Sequence, residues 1–117
     1  LRKCGVRTWK INKINLEDFR VKGAKVFTGR DRGEDVRKKS GIDEIESISD
    51  EIDFVIPDNI YSINPSFFEE LFINVVRKLG KDDFLKKFHF SNLGDYNYEK
   101  PLHEAIDRIL RKKTALG

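Results

Sequence analysis

The stretch "IDFVIPDNIYSINPSFFEELF", Ile52 to Phe72, decides the fold because its hydrophobic rhythm changes halfway. Phe54, Val55 and Ile56 form a continuous apolar run, the mark of a strand buried on both faces, and Pro57 removes the backbone donor that would let it continue. From Phe67 the rhythm becomes helical. Phe67, Phe68, Leu71, Phe72, Val75, Val76 and Leu79 form one broad stripe at a 3.6-residue period, and Gly80 closes it. A central strand followed by a long amphipathic helix therefore anchors the reading, with Ser62 and Ser66 in the turn between them.

Upstream, "TWKINKINL" sets Trp9, Ile11, Ile14 and Leu16 against polar residues and reads as a first strand. "AKVFTG" is a second short strand, and a short helix is predicted from about Arg32 to Ser40, with Asp31 and Glu34 at capping-box spacing and Gly41 as its stop. Ile42, Ile45 and Ile48, three apart, suit a turn of helix or a loop pinned to the core. Downstream, "KDDFLKKFHFSN" gives a helical turn and then a strand containing Phe88 and Phe90. The last helix, "EKPLHEAIDRILRKK", places Leu102, Ala105, Ile106, Ile109 and Leu110 on one face, with Pro101 in its first turn. Strands alternating with helices predict an α/β protein: a mixed, partly parallel central sheet of about four to five strands packed with helices.

The 117 residues suit one domain spanning 1–117, and no repeat or linker divides them. The 37% of charged residues are interleaved, and the net charge of +3 leaves only a weak electrostatic footprint for nucleic acid. A single cysteine, Cys4, leaves no internal disulfide and no Cys cluster for zinc, which fits a reducing, cytoplasmic setting. No window approaches the roughly 20 apolar residues that span a bilayer. The basic start is not followed by the apolar run of a signal peptide, so neither a membrane nor export is expected.

Candidate chemistry is sparse. His89 and His103 lack metal-ligand spacing, and no catalytic constellation, metal site or cofactor is expected. In "TGRDRGEDVR", Gly29 and Gly33 stand four apart at a helix start with Arg30, Asp31, Arg32 and Arg37, a pattern that could turn backbone amides towards an anion. It lacks the GKS/T ending of a P-loop and the GxGxxG spacing, so a capped turn competes with a nucleotide or phosphate site there. Ser66 and Glu69 in "SFFE" fit a capping box; the alternative cap is Asn64, with Pro65 as first helical residue and Ser66 within the first turn. Either arrangement sets a serine at the positive end of a helix, where a phosphoryl group is electrostatically favoured.

The order of "KVFTGRDRGEDVRKKSG", "DFVIPDNIYSINPSFFEELF" and "GKDDFLKKFHF" resembles the STAS-like domain family of bacteria and phages, relatives of the anti-sigma factor antagonists, over roughly Lys22 to Arg111. In the antagonist family the central strand leads through an Asp-Ser-Ser-Gly loop into a helix, and a loop serine is phosphorylated by a GHKL-type kinase. "NPSFFEELF" occupies that place here, so the resemblance implies Ser66 as phosphoacceptor, with Ser62 as a second candidate and Asn64 near the family's aspartate. The Asp-Ser-Ser-Gly motif itself is missing, and Phe67 follows the serine.

The expectation is thus a non-enzymatic, cytoplasmic, STAS-like interaction module that docks a regulatory partner, such as a GHKL-type ATPase or kinase. Contact is expected through Asp58, Asn59, Tyr61 and Asn64, with exposed Glu69 and Glu70 framing it. A phosphate-ligand site at residues 29–37 is the alternative. Nucleic-acid binding through "RILRKK" and the basic N-terminus ranks last, because a basic helix C-terminus is also what the helix dipole favours.

Overall fold

A computed structural model describes residues 10–116, and the side chains as far as Lys112. The readings on Cys4, Trp9, the basic N-terminus and the end of "RILRKK" lie outside these described residues. The chain forms β1 (Ile11–Asn15), a 3-10 turn (Leu16–Phe19), β2 (Val26–Phe27), α1 (Arg30–Ser40), α2 (Ile42–Ile48) and β3 (Glu51–Ile56). It continues through β4 (Ser62–Ile63), α3 (Pro65–Lys87), β5 (Phe88–Asn92) and α4 (Glu99–Leu116). The α/β class stands, and the triplet of isoleucines proves to be the short helix α2.

The five strands of the described residues divide between two sheets. β3 lies at the centre of a three-stranded sheet in the order β1-β3-β5, and β2 and β4 form a separate two-stranded ribbon. Every pairing among the described residues is parallel, where a mixed sheet was expected. The connections explain this: α1 and α2 lie between β1 and β3, and α3 carries the chain from β3 back to β5, so each returning strand re-enters from the same end. Pro57 ends β3 as read from sequence, and Asn59 then turns the chain with a left-handed φ of 58°.

Register fixes the two faces of the larger sheet. Phe54 lies beside Ile14 on one side and Phe90 on the other, so Ile14, Ile52, Phe54, Ile56, Phe88 and Phe90 share the inner face. α3 covers it, with the Phe72 ring 5.2 Å from Phe54 and 5.2 Å from Phe84, which in turn stacks on Phe88 at 4.7 Å. Val36 of α1, Ile42 of α2 and Leu102, Ile106 and Ile109 of α4 join the same buried cluster. The outer face carries Lys13, Glu51, Asp53, His89 and Ser91 together with exposed Ile11 and buried Val55, and Ser91 donates to Asp53 at 2.8 Å.

Gly80 closes the first part of α3, as its sequence position indicated. Its φ of 79° and ψ of 170° break the helix, and a second short segment continues from the next residue. None of the helices of the described residues is long and apolar enough to cross a membrane.

Candidate interaction site

The small ribbon brings the two sequence candidates together. Val26 pairs with Ser62 and Phe27 with Ile63, so the glycine/arginine loop and the serine-bearing turn leave the ribbon side by side. Tyr61 N donates to the Lys25 carbonyl at 2.6 Å and Asn64 N to that of Phe27 at 2.9 Å. Each strand then runs into a helix N-terminus, α1 at Arg30 and α3 at Pro65, and the Phe27 and Phe67 rings meet below at 5.2 Å. In α/β folds the C-terminal ends of parallel strands are the usual place for a binding site.

At the start of α3 the Asn64 cap is the one that forms. Asn64 Oδ1 accepts from Ser66 N at 2.9 Å and from the Ser66 hydroxyl at 2.8 Å, while Pro65 takes the first helical position, where its missing N–H costs nothing. The Ser66–Glu69 capping box is therefore absent, because Glu69 faces inward. Expected at the surface, Glu69 is 0% exposed. Its carboxylate accepts from Arg30 at 3.3 and 3.4 Å and from Lys112, and Arg108 stands 3.9 Å away. Burial alone would raise this carboxyl; hydrogen bonds from Lys112 and Arg30, reinforced by their charges, outweigh it and hold it below the ordinary carboxylate value. Glu70 is half-buried and takes Arg37 at 3.4 Å and Arg30 at 3.7 Å.

The capping box expected for α1 is also replaced. Gly29, at φ 91°, is the cap residue and offers no side chain, Asp31 stands exposed in the first turn, and Glu34 pairs with Lys38 at 2.7 Å. Thr28, Gly29, Arg30, Asp31, Arg32 and Asp35 line a wide-open concavity of about 560 Å³. The arginines of the 29–37 loop and helix start are already engaged. Arg32 holds Asp35 at 2.9 Å and the Phe19 carbonyl, Arg37 donates to the Glu70 carbonyl at 2.6 Å, and Arg30 lies on the two glutamates. On α4, Arg108 and Lys112 of "RILRKK" likewise face Glu69.

The remaining residues sit at the ends of β3 and β4. Asp58 and Asn59 are exposed, Tyr61 is 81% exposed, and Asn64 is exposed beside it. Ser62 is half-buried within β4. Three residues without a local signature shape this end. Arg20 donates to the Asp58 carbonyl at 2.5 Å. Gly94 lies so near that a Cβ there would stand 3.0 Å from Asp58 Cα. The Tyr96 hydroxyl accepts from Ile63 N at 3.1 Å and donates to its carbonyl at 3.3 Å. All three partners are far away along the chain, so no sequence window contains both sides of a contact.

Among the described residues no group of three or more His, Cys, Asp or Glu side chains could hold a metal ion. His89 lies against Glu51 on the outer sheet face, away from the ribbon.

Residues 51–98, from the first residue of β3 to the residue before α4, match the family model described as a STAS-like domain of unknown function (DUF4325). The resemblance seen in the sequence and the α/β architecture agree with that match. No curated protein and no solved structure matches the chain.

Proposed function

From the STAS-like character of residues 51–98, we propose that this chain is a non-enzymatic regulatory module that binds a protein partner in the cytoplasm through the end of the molecule formed by the β3–β4 turn and the start of α3. The observation that carries the reading is Tyr61. A large aromatic side chain 81% exposed is an unusual expense of apolar surface in water, and exposed Asp58, Asn59 and Asn64 lie within three residues of it along the chain. An aromatic anchor within a polar rim is the composition of a binding hot spot. The turn is also braced, by Arg20 on the Asp58 carbonyl and by Tyr96 on Ile63, so docking would order little new chain.

Ser66 supplies the switch in this reading. It is half-buried in the first turn of α3, beside the exposed Asn64, and a phosphate there adds nearly two negative charges to the contact without breaking the helix. The partner proposed is a GHKL-type ATPase or kinase. Binding measured by titration calorimetry against such an ATPase should weaken at least about tenfold for Tyr61→Ala, the lower range of a hot-spot truncation. Ser66→Asp should weaken it similarly and Ser66→Ala leave it intact. Equal affinity of the two serine variants removes the switch, and an unaffected Tyr61→Ala removes the docking face.

A further inference from the structure

Arg30 is a redundant cation. It touches both Glu69 and Glu70, and each carboxylate also has a cation of its own: Glu69 has Lys112, with Arg108 at 3.9 Å, and Glu70 has Arg37 at 3.4 Å. Its own contacts are long, 3.3 to 3.7 Å, and its side chain is 51% exposed, whereas that of Arg37 is 15% exposed. One guanidinium is thus held loosely in a place where the charge balance does not require it.

Its position relative to Ser66 follows from the packing of α1 on α3. The helices leave the parallel ribbon together, and a Cβ on Gly33 would stand 2.4 Å from the Phe67 carbonyl oxygen and 2.9 Å from Glu70 Cβ. Gly33 therefore lies against the stretch from Phe67 to Leu71, and Arg30, one turn earlier on α1, reaches Glu69 and Glu70 of α3 with its side chain. On α3, Glu69 and Glu70 are three and four residues beyond Ser66, which puts the three side chains on one stripe. The guanidinium already rests on that stripe, at Glu69 and Glu70.

We infer that Arg30 is the receptor for a phosphate on Ser66, releasing Glu69 and Glu70 to their other cations and clamping the start of α1 to the start of α3. This rests on the reading of Ser66 as a phosphoacceptor. In the modification the Ser66 Oγ–P bond forms as the bond between the γ-phosphorus of ATP and ADP breaks, ADP leaves, and the hydroxyl proton passes to the kinase's base. The phosphoserine then loses its donation to Asn64 Oδ1 and faces two carboxylates one turn away. A guanidinium fork offers what it lacks, because it matches phosphate oxygens two at a time.

The test requires neither kinase nor partner. Phosphoserine is installed at position 66 during synthesis by genetic-code expansion, and its phosphate is titrated by phosphorus NMR in proteins carrying Arg30, Arg30→Ala and Arg30→Gln. With Arg30 the second phosphate pKa should fall about one unit below its usual value of about 6, as expected for an opposite charge in contact. Both variants should return it to that value or above. Glutamine still donates to Glu69, so it gives the comparison if the alanine protein does not fold. The same titration with and without Arg30 overturns the assignment, and so does the absence of any depression when Arg30 is present. Failure to find a kinase or partner for Ser66 would remove the functional reading and leave this result standing.

Discussion

Glu69 carries a negative charge at a fully buried position on α3, and Glu46 is buried likewise on α2 at 2% exposure, held by Lys78 and Lys87 at 2.7 Å each. For both, burial favours the neutral acid but is outweighed by lysine or arginine hydrogen bonds, so both carboxyls titrate below their ordinary 4.5. The linkage has a definite sign. A carboxyl depressed in the folded state binds its proton more readily once unfolded, so its contribution is complete above about pH 4.5 and is lost as the pH falls through the folded value. Urea unfolding should therefore show a stability plateau near neutrality and a decline below about pH 4.5 that is shallower in Glu69→Gln. At pH 7 that variant should cost about 1–2 kcal/mol, less than a dry ion pair would, because Arg30 and Lys112 reach solvent. The sequence suggested an exposed Glu69, since charge next to a hydrophobic stripe normally faces water. Its partners lie 39 residues before and 43 after it, where no local pattern reaches.

At the level of elements, two glycines set the helices in place by different means. Gly33 lets α1 approach α3: alanine there would gain helix propensity of about 1 kcal/mol, yet its methyl would meet backbone at 2.4 Å. The steric term is larger, and Gly33→Ala should lower stability by about 2 kcal/mol in chemical denaturation, the usual scale of overpacking. Gly80 acts through its backbone instead. With φ 79° and ψ 170° it occupies a region that side chains avoid, so Gly80→Ala should cost about 1–3 kcal/mol although open space surrounds the site. Elements with a strong internal pattern were legible in the sequence: the apolar run of β3 up to Pro57, the stripe of α3 up to Gly80, and α4 beginning near Pro101. β4 was not, because two residues have no periodicity, and the exact caps were not, because Asn64 and Ser66 both satisfy the local chemistry and the inward turn of Glu69 decides between them.

For the molecule as a whole, β3 is the only strand of the described residues paired on both sides, and its inner face carries Ile52, Phe54 and Ile56 in the core. Native-state hydrogen exchange should consequently be slowest in β3, with the β2–β4 ribbon opening well before it; equal protection of the two sheets would contradict this order. The division into two sheets could not be foreseen from strand count, because it depends on what meets β4 in space. There Tyr96 supplies the answer. Ile63 directs its N–H and carbonyl away from β2, and one phenolic hydroxyl takes up both, so a single side chain does for β4 what another strand would have done. A strand edge closed in this manner cannot template the addition of a neighbouring molecule. Replacing Tyr96 by phenylalanine would leave the ring and remove the stopper, and the expected result is a protein that folds but clumps as its concentration rises, which light scattering would record.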